Sequence, residues 1–271
     1  MEINDITVIG GRGRDGKKEP LEGIDLRMGD VASIVGPTGS GKTELINDIG
    51  LFADGSTPTG RRVLINGTAP SSAFLEDPSK NPVALITQHT SFLSDLPVHR
   101  FLRLHAKIRK TGHPESVVEE TLDFVNQLTG EPINVESAMT ELSGGQSRAL
   151  LIADAVIIGN SPIILLDEIE NAGIDRVKAL ELLRRYKKVF IFVTHDLSIA
   201  LLSNYRLVMR GGAMQKLIYT EEEEKRIAER IRVLDELILH LRERIRAGDR
   251  LAEAELRERL QRARDALGGK S

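Results

Sequence analysis

Residues 31–43 read Val-Ala-Ser-Ile-Val-Gly-Pro-Thr-Gly-Ser-Gly-Lys-Thr. The β-branched run Val31–Val35 predicts a buried strand, and the segment after it fits Gly-x-x-x-x-Gly-Lys-Thr and opens a helix near Lys42. Glycines let the backbone curl so that its N–H groups face inward, and a helix N-terminus adds positive potential. The stretch therefore predicts a P-loop that holds nucleotide phosphates. A glycine-rich turn without a ligand is the alternative.

Two residues at the end of this loop carry further chemistry. Lys42 is expected to reach the β- and γ-phosphates, and Thr43 offers a hydroxyl to Mg²⁺. The residues predicted to hold the nucleotide are Gly36, Pro37, Thr38, Gly39, Ser40, Gly41, Lys42 and Thr43.

Short β-branched runs alternate with helical patterns as far as about residue 220. After Val35 the runs are residues 83–87, 163–166 and 189–194. Such alternation predicts an α/β domain over residues 1–220, with a mostly parallel sheet covered by helices. Residues 95–160 instead follow a helical pattern, which predicts an inserted helical subdomain with further helix from Ser137 onward.

The remaining residues, 221–271, are almost purely helical in pattern. Apolar residues recur at steps of four and three, and the members of this seam are Ile227, Ile231, Leu234, Ile238, Leu241 and Ile245. Gly248 and Asp249 end the first helix, and a weaker seam follows. The pattern predicts an antiparallel helical hairpin that buries its seams against itself, the first domain or a second copy.

Composition excludes several classes of function. The 37 basic residues are outnumbered by 40 acidic residues, so no global positive field favours nucleic acid. There is no cysteine, which excludes disulfides and thiolate metal sites and suits a reducing cytosol. The N-terminus has no signal-peptide pattern, and the apolar stretch 149–166 is broken by polar residues and proline. The expected location is cytoplasmic, with peripheral contact at the inner face of the cell membrane.

The predicted strand at residues 163–166 ends in two carboxylates. Asp167 and Glu168 should lie at the sheet edge where open α/β sheets bind ligands. Asp167 can hold Mg²⁺ through water, and Glu168 can orient and polarise the attacking water. The alternative is an acid pair that only stabilises a helix N-terminus.

A second glycine turn lies at Leu142-Ser143-Gly144-Gly145-Gln146, before an apolar helix. With this turn, the P-loop and the Asp-Glu strand in this order, residues 3–218 resemble the nucleotide-binding subunit of the ATP-binding cassette (ABC) family. The resemblance implies an ABC-type P-loop core that binds ATP and Mg²⁺ and hydrolyses ATP. It further implies a head-to-tail homodimer, or a heterodimer with a related cassette. There, Ser143, Gly144, Gly145 and Gln146 grip the γ-phosphate bound by the opposite protomer.

Three further positions match the family. Gln88 is similar to the family's glutamine that contacts Mg²⁺ and the attacking water. The resemblance therefore implies that Gln88 is both a catalytic and a metal-binding residue. His195 is similar to the switch histidine that contacts the γ-phosphate, and Asp175 occupies the D-loop position. Taken singly these signals are weak, because a histidine after a strand is more often structural.

The sequence also departs from the family pattern. Residues 169–174 are one residue longer than the usual link and lack its proline, and Asp154 stands where an arginine is common. No aromatic residue precedes Phe52, so Arg12 or Arg14 would have to stack on adenine instead. The preference for ATP over GTP therefore follows from the resemblance alone.

The leading hypothesis from the sequence is the ATPase subunit of a membrane transporter whose permease is a separate chain. Residues 90–110 would line the permease groove through Phe92, Leu93, Leu96, Phe101 and Leu104, unless these residues only pack the helical subdomain. The alternative is a soluble ABC ATPase that remodels or assembles a cytosolic protein or cofactor complex. A regulatory dimer with little turnover is a third reading, and Glu168 argues against it, because a sensor needs no positioned base.

Overall fold

The computed structural model describes residues 2–87, 89–109, 112–129, 132–168 and 176–268. Two compact units make up the chain, Met1–Tyr219 and Thr220–Ser271. Within the described residues, no helix is long and apolar enough to cross a membrane.

The first unit alternates strands and helices. Its strands are β1 (Asp5–Ile9), β2 (Gly23–Arg27), β3 (Val31–Val35), β4 (Arg62–Ile65), β5 (Val83–Ile86), β6 (Ile163–Asp167), β7 (Val189–Val193), β8 (Tyr205–Arg210) and β9 (Ala213–Tyr219). Its helices are α1 (Lys42–Gly50), α2 (Ala73–Glu76), α3 (Val98–Ile108), α4 (Pro114–Leu128), α5 (Gly144–Val156), α6 (Arg176–Leu183) and α7 (Leu197–Leu202). Short 3-10 turns lie at Pro78–Lys80 and Met139–Glu141.

The main sheet has the strand order β5-β6-β7-β3-β8-β9. Its first five strands are parallel, and β9 joins β8 antiparallel. The predicted α/β fold with a mostly parallel sheet is confirmed. Asp167 pairs with Val193, and Val193 pairs with Ile34, so the three residues share one row across β6, β7 and β3.

A second sheet was not predicted. It is antiparallel, with the order β2-β1-β4. In β2, Ile24 and Leu26 are buried while Asp25 is exposed. This alternation is typical of a sheet with one face exposed to solvent. Strands of five and four residues separated by long loops gave too weak a periodic signal to locate it.

The parallel strands separate two hydrophobic cores. In β6, Ile164 and Leu166 pack into a core shared with α3, α4 and α5, whereas Ile163 and Leu165 pack into a core shared with α1 and the antiparallel sheet. Because successive side chains of a strand point to opposite faces, burial on both faces requires an uninterrupted apolar run. Strands β6 and β7 have such runs, Ile-Ile-Leu-Leu and Val-Phe-Ile-Phe-Val.

The helical region is built from α3, α4 and α5, which pack on one another. The sequence predicted helix from Ser137, but the structure has a 3-10 turn at Met139–Glu141 and begins α5 at Gly144. The side chain of Ser143 caps this helix, so the α-helical turn cannot extend further toward the N-terminus.

The second unit consists of α8 (Glu222–Arg246) and α9 (Glu253–Gly268). The chain turns back after α8, and Glu255 on α9 meets Arg244 and lies 3.9 Å from His240 Nε2. Arg244 also pairs with Asp249 in the connecting turn. Ion pairs thus hold the two helices together at the turn end of the hairpin.

Candidate nucleotide-binding site

Three predicted elements meet at the carboxyl edge of the main sheet. The glycine loop follows β3, Glu168 follows β6, and His195 lies two residues after β7. These strands are neighbours in the order β6-β7-β3 and run parallel, so their carboxyl ends share one edge. This is the edge at which open α/β sheets bind ligands.

The glycine loop is packed too tightly to accept side chains at two of its positions. A methyl group on Gly41, whose φ is 97°, would lie 2.8 Å from the Cα atom of Gly212 in the β8–β9 turn. A methyl group on Gly36 would lie 2.4 Å from the carbonyl oxygen of Met209. The amide of Gly212 donates a 2.9 Å hydrogen bond to the carbonyl of Ser40. The β8–β9 turn therefore packs against the glycine loop and supports it.

Lys42 lies inside the loop. Its ammonium donates to the carbonyls of Gly36, at 2.9 Å, and of Pro37, at 3.3 Å, and the residue is buried. The N-cap Gly41 has no side chain to cap α1, so the first turn of the helix presents its amides to whatever fills the loop. Ser40 Oγ is buried and has no hydrogen-bond partner among the described residues. The loop therefore offers the positive charge of Lys42, the amides of a helix N-terminus and the hydroxyl of Ser40. A phosphate group requires such partners.

Glu168 and His195 lie together beside this loop. The Glu168 amide donates a 3.0 Å hydrogen bond to the carbonyl of Val193, and its Oε1 lies 3.9 Å from His195 Nε2. Glu168 has a φ of 51°, a left-handed conformation that costs a residue other than glycine about 1 kcal/mol or more. Both side chains remain open, 35% exposed for Glu168 and 50% for His195. A carboxylate and an imidazole can therefore act on one water or one phosphate oxygen.

The two residues predicted to hold Mg²⁺ both offer oxygen atoms. Thr43 is exposed at the start of α1, and Asp167 is half-buried at the end of β6. A hydroxyl, a carboxylate and phosphate oxygens form the hard donor set that Mg²⁺ prefers, so these residues fit the ion. Asp167 shares a row with Ile34, two strand spacings or roughly 10 Å away along the edge.

The second glycine turn lies elsewhere, at the start of α5 in the helical region. Ser143 Oγ accepts a 3.2 Å hydrogen bond from the amide of Gln146, and Gln146 Oε1 accepts one of 3.1 Å from the amide of Ser143. These two side chains cap their own helix. Ser143 and Gly144 are exposed, and a methyl group on Gly144 would meet nothing within 4 Å. The turn thus presents a helix N-terminus to the outside of the unit.

Comparison with known proteins identifies the family. The sequence model of the ABC transporter family matches residues 23–171. An uncharacterized ABC transporter ATP-binding protein of Methanocaldococcus jannaschii is 46% identical over 256 residues, which cover 94% of this chain and 98% of that protein. The chain belongs to the ABC transporter ATP-binding family.

Other ABC proteins are also similar to this chain in sequence or in fold. A lipoprotein-releasing system ATP-binding protein of Rhodopseudomonas palustris is 30% identical, over 66% of this chain and 81% of that protein. The ADP conformation of an ATP-binding cassette of an ABC transporter superposes with a TM-score of 0.57 at 25% identity, covering 84% of this chain and 96% of that one. A dimeric cassette bound to ADP and Pi gives a TM-score of 0.59 at 21% identity, covering 80% and 99%, which shows the shared fold. The chain is an ATP-binding cassette that hydrolyses ATP.

Two of the predicted site residues of this cassette, Gln88 and Asp175, lie outside the described residues, as does the long link at residues 169–174. Their assignments remain predictions from the resemblance.

The structure adds a residue to the cassette that sequence reasoning missed. Arg61 is fully buried, and its Nη2 donates to Glu19 Oε1 at 2.6 Å while its Nη1 donates to Asp48 Oδ2 at 3.0 Å. Nη2 also donates to the carbonyl of Gly212 at 2.8 Å. Asp48 belongs to α1 and Gly212 supports the glycine loop, so this one guanidinium holds both sides of the nucleotide cradle.

The charge of Arg61 is stable in this setting. Burial lowers the pKa of Arg61, but the hydrogen bonds and charges of Glu19 and Asp48 raise it, and the net shift is upward. No local sequence pattern marks this triad, because its members lie 42 and 13 residues from Arg61 along the chain.

Arg14 is the better placed of the two arginines proposed for the missing aromatic. Its Nη2 lies 2.9 Å from Glu44 Oε1, and a methyl group on Gly39 would lie 3.9 Å from its Nη1. Arg12 instead donates to the carbonyl of Gly16, at 3.0 Å. The Arg14 guanidinium therefore lies beside the glycine loop, where a nucleotide can reach it.

Asp154, which lies on α5 where an arginine is common in the family, has a partner. Its Oδ1 lies 2.7 Å from His105 Nδ1 on α3, and Arg109 Nε donates to His105 Nε2 at 3.3 Å. The carboxylate at position 154 is therefore hydrogen-bonded inside the helical region.

Proposed function

We propose that two copies of this cassette bind two Mg-ATP head to tail and drive a separate membrane permease. The proposal is supported by the finding that the predicted nucleotide contacts lie in two separate regions of the chain. The glycine loop, Glu168 and His195 lie at one sheet edge, while the Ser143 turn opens outward from the helical region. Each chain then supplies half of two composite sites.

The roles of the residues follow from their chemistry. Lys42 and the loop amides bind the β- and γ-phosphates, and the exposed amides of the Ser143 turn add a second positive pole from the partner. Glu168 accepts a hydrogen bond from the attacking water and orients it, and His195 contacts the γ-phosphate beside it. Gln88 and Asp175 complete the set by resemblance. Thr43 and Asp167 would hold Mg²⁺, which would supply positive charge to the phosphate oxygens.

Shared sites make a mixing experiment decisive. Lys42→Ala disables the P-loop of the chain that carries it. Ser143→Arg blocks the Ser143 turn of the chain that carries it. Each variant alone should lose ATP hydrolysis. In a mixed pair, one composite site carries both defects and the other is intact, so activity should reappear on mixing. Failure of the mixture to regain activity would contradict sites that are shared between two chains.

The permease surface is proposed on the segment after β5. Leu93 is 95% exposed and Leu104 is 49% exposed, while Phe92 packs edge-on against Phe101 with ring centroids 5.2 Å apart. Phe92 also lines a cavity of about 290 Å³, together with Thr90 and with Gly144 of the Ser143 turn. Exposed apolar groups beside a cavity suit a short helix of a partner.

Affinity capture from detergent-solubilised membranes tests this surface. The wild type should retain a polytopic membrane protein, and Leu93→Glu should lose it. Leu75→Glu is the control, because Leu75 is also exposed, at 56%, but lies on α2. Capture of a cytosolic enzyme through Leu93 would instead favour the remodelling function.

A further inference from the structure

Helix α8 carries a regular heptad over its 25 residues. In heptad notation the a positions are Ile231, Ile238 and Ile245, and the d positions are Ile227, Leu234 and Leu241. A repeat of 3.5 residues is the spacing at which two helices wind around each other. In parallel coiled coils, β-branched residues at a with leucine at most d positions favour two strands.

Most of this seam is exposed. Ile227, Leu234, Ile238 and Ile245 are between 42% and 61% exposed, and Ile231 and Leu241 are half-buried. The flank of α8 that meets α9 carries His240 and Arg244, which lie at c and g positions and approach Glu255. α9 thus packs beside the seam and leaves its centre open.

We propose that α8 pairs with α8 of a second copy as a parallel, in-register coiled coil that forms without nucleotide. The seam is self-complementary, because each a or d layer meets its own copy across a twofold axis. This contact is separate from the ATP-bound interface and would hold two cassettes together between rounds of hydrolysis.

Charges beside the seam select the parallel direction. Arg230 at g and Asp235 at e are five residues apart, the spacing at which g and e side chains of parallel strands meet, so opposite charges face each other twice. An antiparallel pair with full overlap would place Arg230 against Arg244 and Asp235 against the same residue of the partner. Like charges disfavour that arrangement.

Cross-linking tests the direction directly, because the chain has no cysteine of its own. Leu234→Cys and Ile238→Cys, each in the full chain without nucleotide, should both give covalent dimers under mild oxidation. Leu239→Cys is the matched control, since Leu239 is 51% exposed on the same helix but lies off the seam. Cross-linking only when the first two variants are mixed would mean an antiparallel pair and overturn the proposal. Equal cross-linking of Leu239→Cys would do the same.

Mass measurement by light scattering tests the pairing itself. The nucleotide-free wild type should have twice the 29.9 kDa chain mass. Ile238→Glu should weaken the dimer at least 100-fold, and Leu239→Glu should leave it intact. Arg230→Glu should weaken it about 10-fold, and adding Asp235→Arg should restore it, because the first change turns both interhelical charge pairs from attractive to repulsive. Circular dichroism checks that each variant is helical.

A monomeric wild type at tens of micromolar chain would overturn the proposal. That result would leave the shared ATP sites untouched, because the mixing of Lys42→Ala and Ser143→Arg reports on them separately.

Discussion

Glu168 Oε1 lies 3.9 Å from His195 Nε2, although the two residues follow different strands. The contact follows from the register of β6 and β7, in which Asp167 pairs with Val193 and Glu168 donates its amide to the same residue. A carboxylate and an imidazole are thereby set at adjacent points of one sheet edge.

Glu168→Gln should reduce phosphate release at least about 100-fold and leave ATP binding intact, because the amide keeps the shape but loses the basic oxygen. Steady-state phosphate release and titration with a fluorescent ATP analogue measure the two effects. Glu181→Gln, an exposed acid on α6, is the control. Unchanged phosphate release would remove Glu168 from the role of base.

His195→Ala should lower kcat about 100-fold with little change in KM, because a contact to the γ-phosphate matters most when charge develops on it. ATP-dependent kinetics over a range of concentrations separate the two constants. His113→Ala, before α4, should behave as the wild type. A rise in KM alone would mean that His195 only helps to bind ATP.

Lys42→Ala should weaken nucleotide binding at least about 100-fold, because a charge-assisted contact to phosphate contributes about 3 kcal/mol. The substitution also removes the hydrogen bonds that Lys42 makes to Gly36 and Pro37. Equilibrium titration measures the loss, with Lys17→Ala as a control for the lysine charge. Native affinity in Lys42→Ala would contradict the P-loop assignment.

Arg61→Met should destabilise the first unit by about 3 to 5 kcal/mol, because Glu19 and Asp48 are then buried without a counter-charge. Urea unfolding measures the change. Neutralising both acids in the same chain, with Glu19→Gln and Asp48→Asn, should recover much of the stability. If Arg61→Met alone unfolds at the wild-type urea concentration, the triad is not a structural clamp.

Lys188 should make stability depend on pH. Burial lowers the pKa of Lys188 to about 8, below the 10.5 of an unperturbed lysine, while its ammonium donates to Asn160. The unfolded chain then binds more protons between these values. Stability should therefore rise as the pH increases from about 8 to about 10.5, by at most about 3 kcal/mol.

Lys188→Met should lose this rise. Urea titrations of both proteins at several pH values measure it, and the difference in their free energies of unfolding isolates Lys188 from other groups. Parallel curves for the two proteins would contradict the assignment.

Local patterns were enough to predict much of this cassette. The strand Val31–Val35, the helix start at Lys42 and the heptad of α8 each depend on residues close together in the chain, so turn chemistry and periodicity reveal them. The parallel sheet followed from the alternation of such elements. The family resemblance added what no single element carries, the roles proposed for Ser143 and His195.

Only the tertiary structure decided which distant groups meet. Arg61 joins Glu19 and Asp48, Asp154 pairs with His105 at a separation of 49 residues, and Glu168 reaches His195. The antiparallel sheet and the open seam of α8 also emerged only there. Contacts between residues far apart in sequence depend on strand order and register, and no local periodicity encodes either of them.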